Sequence, residues 1–207
     1  MYGRPPTFVF GFHGCDKSVS ESILNGDTDC LKQSTNDYDW LGTGIYFWEN
    51  DPQRALEFAQ FLKDNPLRNH QNIKEPAVIG AAIDLGYCLN LMEFESLASL
   101  KRTYNFLKSK FKTLNLELPK NLPGEKGNTD LLIRKLDCLV IETTHEILKD
   151  AKMDPYDTVR GLFFEGKKLY PNAGFKEKNH IQICVRNPNC IKGYFLPRKQ
   201  DDNYSIP

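Results

Sequence analysis

The chain has 207 residues, with 27 acidic and 27 basic side chains and therefore no formal net charge. Hydrophobic residues make up 40% of it and aromatic residues 12%. This composition excludes an intrinsically disordered protein and predicts a single domain spanning residues 1–207. No secretory signal and no apolar run of membrane-spanning length is visible, so we expect a cytoplasmic protein without a membrane partner.

The six cysteines indicate neither a disulfide framework nor a metal site. None of them is paired with another in the Cys-x-x-Cys spacing typical of zinc sites. Cys88 and Cys184 lie in strand-like apolar runs, where cysteine behaves as a small hydrophobic residue. We therefore expect free thiols and no bound metal.

Strands are predicted where short apolar or aromatic runs are bounded by turn residues. These runs are 8–12, 44–48, 77–85, 162–164, 181–186 and 191–196. The first ends at His13-Gly14. The third is apolar apart from Asp84, so we expect it inside the sheet.

Helices are predicted by apolar residues at spacings of three and four and by capping residues. Ser18 and Glu21 form a capping box for the first helix, which Gly26 ends. Asp51-Pro52 opens the second, which runs to about Lys63. Further helices are expected at 93–113 and about 130–149, with loops at 27–43 and 115–128. The fold class is therefore α+β, with a helical insertion at about 86–150.

Three segments combine residues that carry chemistry. The first is Phe12-His13-Gly14-Cys15, and the second is Trp40-Leu41-Gly42-Thr43-Gly44-Ile45-Tyr46-Phe47. The third is His180-Ile181-Gln182-Ile183, which places His180 and Gln182 on one face of a strand. Each segment alone is a weak signal, since a lone His or a strand Gln is usually structural.

Together, in this order, the three segments resemble the ADP-ribosyltransferase superfamily, in its His-Tyr-Glu branch that includes diphtheria toxin and the poly(ADP-ribose) polymerases. His13-Gly14 and Gly42-Thr43-Gly44-Ile45-Tyr46-Phe47 match that branch, and the second match is the more specific. The resemblance covers both ends of the chain and leaves residues 86–150 unmatched. It implies a split mixed sheet and NAD as co-substrate.

The resemblance implies an NAD site in which His13 bonds a ribose and Tyr46 stacks on nicotinamide. A cationic ring over Tyr46 would gain about 0.5–2 kcal/mol, and the main chain of Gly14 would bond the carboxamide. Gly44 and Phe47 belong to the same predicted site. Two other contacts have structural alternatives: Phe58 as a second stacking face, against core packing, and Arg160 as a pyrophosphate clamp, against a structural ion pair.

The departure from the family lies at the third position, where a Glu is usual. We predict Gln182 there, with His180 beside it and Tyr46 completing the catalytic set. A Gln amide can bond the ribose and steady an oxocarbenium ion, but it cannot act as a general base. Glu165 and Glu177 lie near enough in sequence to supply a carboxylate.

The resemblance implies transfer of ADP-ribose to a macromolecule, which would suit a toxin or phage-defence effector with an antitoxin partner. Nine basic and two acidic residues lie between Arg160 and Lys199. With Tyr170 and Phe175 nearby, this charge slightly favours a nucleic-acid acceptor over a protein; an ordinary solvated surface is the alternative. NAD hydrolysis, and a module that binds NAD or ADP-ribosylated targets without catalysis, stay open.

Overall fold

A computed structural model describes residues 7–66, 73–124, 130–199 and 201–204 of the chain. Its strands are β1 (Phe8–Asp16), β2 (Ile45–Glu49), β3 (Pro76–Asp84), β4 (Cys88–Asn90), β5 (Asn121–Pro123), β6 (Leu131–Arg134), β7 (Thr158–Phe163), β8 (His180–Val185) and β9 (Ile191–Phe195). Its helices are α1 (Lys17–Leu24), α2 (Pro52–Asp64), α3 (Phe94–Thr113) and α4 (Lys135–Asp150). The fold is mixed α+β, as predicted.

Seven of these strands form one mixed sheet in the order β4-β7-β8-β2-β1-β3-β9. Strands β4 and β7 are parallel, and the other neighbours are antiparallel. Strand β3 lies between β1 and β9, which confirms its predicted interior position. Strands β5 and β6 pair separately.

The sheet is held together only weakly between β1 and β2. Strands β1 and β3 stay in register over nine residue pairs, from Phe8 with Asp84 to Asp16 with Pro76. Strand β1 meets β2 at Gly11 with Glu49 and at Phe12 with Trp48, and the ladder then stops. The sheet therefore has two halves, one of β4, β7, β8 and β2 and one of β1, β3 and β9, with a gap between them beyond Phe12.

The two faces of the sheet carry different apolar clusters. One contains Phe47, Ile79 and Ile183 together with Ile23 of α1. The other contains Leu41, Leu89, Ile141, Val159 and Cys184, with Tyr46 packed against it. Because side chains alternate along a strand, the adjacent residues Tyr46 and Phe47 serve opposite faces.

The segment predicted as a helical insertion is only partly helical. Strand β4 joins the edge of the main sheet beside β7, and β5 and β6 form a hairpin. The helix predicted from Asp130 begins at Lys135, because residues 131–134 are in strand β6. Helices α3 and α4 pack together, with the Thr144 hydroxyl donating to the Thr103 hydroxyl at 3.0 Å. Residues 125–128 of the predicted loop lie outside the described residues.

Three predicted details of these elements are wrong. Strand β1 continues through His13-Gly14 to Asp16, because pairing with β3 persists. Helix α1 is capped by Asp16, whose carboxylate accepts from the Ser18 amide at 3.0 Å, and the predicted capping box is absent. Strand β7 begins at Thr158, because residues 158–161 already pair with β8.

Two other predicted features, the start of α2 and the free cysteines, agree with the structure. Asp51 caps α2, with Pro52 in its first turn. The six cysteines are free thiols. In the described part of the chain, no helix is long and apolar enough to cross a membrane, and no group of three or more His, Cys, Asp or Glu side chains is arranged to hold a metal ion.

Candidate functional site

His13 lies where the ladder between β1 and β2 stops. Its Nδ1–H donates to the main-chain carbonyl of Tyr46 at 2.7 Å. Since a carbonyl only accepts, the neutral ring has its proton on Nδ1 and a free lone pair on Nε2. Burial lowers the pKa of His13, and the bond to Tyr46 offsets this in part. His13 therefore presents a neutral hydrogen-bond acceptor.

A cavity of about 520 Å³ lies beside this ring. Its lining includes His13, Asp16, Ser18, Leu31, Lys32 and Lys74. A second cavity, of about 540 Å³, shares Ser18, Leu31 and Lys32 with the first and extends to Thr28 and Gln33. Volumes of about 300–1,000 Å³ are typical of small-molecule sites.

Gly14 is held tightly from one side and faces the gap on the other. A Cβ at this position would lie 2.0 Å from the carbonyl oxygen of Ala55 in α2. The Asn50 amide donates to the Phe10 carbonyl at 2.9 Å, so the main-chain groups of Phe10 point toward β2. Main-chain groups two and four residues along a strand point the same way. The amide and carbonyl of Gly14 therefore face the gap, where the register with β2 has ended.

Tyr46 and the glycines before it are tied into the fold. The Tyr46 hydroxyl donates to the Gly42 carbonyl at 2.8 Å and accepts from the Leu41 amide at 3.1 Å, and burial raises its pKa well above the ordinary value. The Gly44 amide and carbonyl both bond Ser34, and a Cβ on Gly44 would lie 2.5 Å from Cys184 Sγ. These contacts leave no main-chain group of Gly44 for a ligand.

An ion pair supports the glycine segment from outside. Glu142 of α4 accepts from the Thr43 amide at 2.6 Å and from Arg186 at 2.7 Å. Burial opposes the ionisation of Glu142, but the bonds from Arg186 and Thr43 prevail and lower its pKa. Gly42 has φ of 80°, and a Cβ there would lie 2.4 Å from the Glu142 carboxylate, so Gly42 permits this approach.

Gln182 lies in a row of cross-strand residues with Phe12, Trp48 and Gly161. Its Oε1 accepts from Trp40 Nε1–H at 2.6 Å. Trp40 reaches it by lying over Gly161, where a Cβ would be 2.9 Å from the indole ring. The Gln182 amide nitrogen has no hydrogen-bond partner among the described residues, so it stays available as a donor.

The surroundings of Gln182 are aromatic. His180 lies 5.4 Å from Phe163 and 6.1 Å from Trp48 between ring centroids, and its Nδ1–H donates to the Lys178 carbonyl at 2.7 Å. Burial lowers the pKa of His180. Phe58 packs on Trp48, with 5.0 Å between their ring centroids, as in the predicted alternative of core packing. The guanidinium of Arg134 lies 4.8 Å from the Trp40 ring centre.

Arg160 and Phe47 have structural partners. Arg160 makes a bidentate ion pair with Glu49 at 2.5 and 2.6 Å, and the two side chains are only 19% and 7% exposed. The ring of Phe47 is fully buried beside His13, with 5.9 Å between ring centroids. Glu165, an expected source of a carboxylate, pairs with Arg54 at 3.0 Å.

The structure thus brings together some predicted residues and separates others. His13, the Gly14 main chain and the Tyr46 carbonyl meet at the gap. The side chains of Tyr46 and Gln182 lie on one face of the sheet. Those of His13 and Phe47 lie on the other. Trp40 could have been singled out by its position just before the glycine segment, whereas no pattern marks Lys32 or Lys74, whose place at the cavity depends on loop packing.

Comparison with known proteins finds a distant relative of unknown function. The chain is 26% identical over 198 residues to the uncharacterized protein MJ0359 of Methanocaldococcus jannaschii, covering 87% of this chain and 83% of that protein. No protein-family profile matches the chain, and no solved structure matches it significantly.

Proposed function

We propose that this protein is an NAD-dependent ADP-ribosyltransferase that binds its dinucleotide across the gap between β1 and β2. The observation that carries the proposal is the end of the ladder after Phe12 with Trp48. There a neutral His13 acceptor lines a cavity of about 520 Å³, and the main chain of Gly14 faces the opening. We infer that an extended ligand bound at this gap reaches from His13 on one face of the sheet to Gln182 on the other.

Three parts of the dinucleotide have partners of suitable chemistry. Nε2 of His13 accepts from a hydroxyl of the adenosine ribose. The carboxamide of nicotinamide, with one acceptor and one donor group, matches the amide and carbonyl of Gly14. Strands β1 and β8 are separated by β2 alone, so about 10 Å lies between their main chains, a distance that the nicotinamide ribose and its linkage can span.

In the proposed reaction, the bond between ribose C1′ and the nicotinamide nitrogen breaks, and nicotinamide leaves with the electron pair. The resulting oxocarbenium ion is attacked at C1′ by a nucleophile of the acceptor, which then loses its proton. Gln182 donates its free amide N–H to a ribose hydroxyl, while Trp40 holds the other end of that amide. A fixed dipole needs no reorganisation during the reaction, which is why positioning by Trp40 matters.

The proposed acceptor is a nucleic acid. Phe164, Tyr170 and Phe175 are 54%, 53% and 63% exposed in the segment leading into β8, and lysines are interspersed among them. Unstacked bases pack on exposed aromatic rings and phosphates attract lysine. An exocyclic amine also suits a site whose Gln182 cannot take a proton. By resemblance, the biological role is that of a toxin or phage-defence effector controlled by an antitoxin.

The test is incubation with NAD labelled in the adenosine half, in whole-cell lysate, followed by separate digestion with nuclease and with protease. The proposal expects labelled macromolecule that nuclease releases, free nicotinamide in equal amount, and no labelling by the His13→Ala variant. Label released only by protease would keep the enzyme class and change the acceptor. Free ADP-ribose alone would make the protein an NAD glycohydrolase. Intact NAD that nevertheless binds tightly would make it a non-catalytic module.

A further inference from the structure

The cavity beside His13 contains two lysines without acidic partners. Lys32 and Lys74 line it, both are exposed, and neither makes an ion pair with another described residue. The acidic residue in the same lining is Asp16. A cavity with two free ammonium groups and one carboxylate carries a net positive charge and favours an anionic ligand.

The carboxylate of Asp16 is already occupied. Its Oδ1 accepts from the Ser18 amide at 3.0 Å and the Ser18 hydroxyl at 2.6 Å. Its Oδ2 accepts from the amides of Lys74 at 2.6 Å and Glu75 at 3.0 Å. These bonds hold the pKa of Asp16 well below its usual range, the Ser18 hydroxyl contributing most. Asp16 thus holds two segments of the cavity wall together through hydrogen bonds, and the ammonium groups of Lys32 and Lys74 stay available to a ligand.

Hydrogen bonds and packing fix the main-chain positions from which both lysine side chains extend. The main-chain amide of Lys74 is held by its hydrogen bond to the Asp16 carboxylate. Lys32 follows Leu31, which is 3% exposed and whose amide donates to the Tyr194 hydroxyl at 3.2 Å. Two flexible ammonium groups on fixed backbones suit a ligand with several anionic oxygens, since each is a point charge without directional demands.

We infer that Lys32 and Lys74 bind the diphosphate of a nucleotide whose ribose bonds His13. This deepens the proposed function and depends on it for the identity of the full ligand. We assign this role to the lysines because Arg160, the predicted pyrophosphate clamp, makes a part-buried bidentate ion pair with Glu49. The expected ligand class is a nucleoside diphosphate or a dinucleotide containing one.

The test is calorimetric binding of ADP and of adenosine to wild type and to Lys32→Gln/Lys74→Gln. A matched control is Lys63→Gln/Lys101→Gln, which removes two charges outside the cavity lining. We expect the cavity variant to bind ADP about tenfold more weakly than wild type, consistent with two exposed charge contacts. Adenosine affinity should be unchanged, and added salt should weaken ADP binding in wild type more than in the variant.

The outcomes separate this inference from the proposed function. Equal ADP affinity in wild type and the cavity variant would overturn the role of the lysines. An equal loss of affinity for adenosine and for ADP in that variant would do the same. So would a wild-type protein that binds ADP no better than adenosine. If wild type labels macromolecules from NAD in those cases, the proposed function stands alone. If ADP binding depends on the lysines but NAD stays intact in lysate, the diphosphate site stands and the proposed function fails.

Discussion

Replacing Gly14 by Ala tests whether the gap depends on the close packing of α2 against β1. The new Cβ would lie 2.0 Å from the Ala55 carbonyl oxygen and 3.2 Å from Ala59 Cβ. Ordinary contact begins near 3.4 Å, so the helix must retreat by about 1.4 Å. Ala55 and Ala59 are fully buried, and the obstacle is helix main chain rather than a movable side chain. Overpacking of this kind costs typically 1–3 kcal/mol, and we expect about 3 kcal/mol here.

The assay is urea denaturation followed by tryptophan fluorescence, with Gly193→Ala as the matched control. Gly193 also lies in a strand of the main sheet, but a Cβ there meets nothing within 4 Å, so its free energy of unfolding should change by no more than about 0.5 kcal/mol. A loss below about 1 kcal/mol for Gly14→Ala, or an equal loss for the control, would refute the packing argument. Carboxamide binding at Gly14 should weaken together with stability, because the same main chain is displaced.

Three further predictions concern the proposed site. Gln182→Ala should abolish NAD turnover and Trp40→Phe should lower it about tenfold or more by freeing the amide, with NAD affinity by calorimetry retained in both; full turnover in either would remove Gln182 from the catalytic role. Burial lowers the pKa of His13, so the unfolded chain takes up a proton below about pH 6.5 that the native chain refuses, and stability falls as pH drops through that range. His13→Gln should reduce this loss between urea midpoints at about pH 7.5 and 5.5, and an unchanged slope would contradict the pKa direction. Arg160→Ala should lower the free energy of unfolding by about 3 kcal/mol, because it leaves the Glu49 carboxylate, in a side chain only 7% exposed, without its partner; weakened NAD binding by the folded variant would instead assign Arg160 to the ligand.

Local sequence patterns determined most of the elements and the general location of the candidate site. The Asp51-Pro52 signature specified where α2 begins, and short aromatic and aliphatic runs located β1, β2, β8 and β9, because capping and side-chain alternation depend on neighbours in sequence. The same reasoning failed at the start of α4. Residues 131–134 were predicted to be helical, but they pair with Asn121–Pro123 as strand β6.

The sidedness and the charge of the site were decided by tertiary structure. The register of β2 in the sheet decides which face the Tyr46 side chain occupies. The end of the ladder between β1 and β2 lets the His13 ring bond the Tyr46 carbonyl. Arg160 was predicted either as a ligand contact or as a structural ion pair, and the structure shows the ion pair, with Glu49 of another strand. Lys32 and Lys74 reach the cavity from segments far apart in the chain. Contacts of this kind join residues that share no local pattern, so sequence alone determined which groups were available and packing determined which of them remained free to bind.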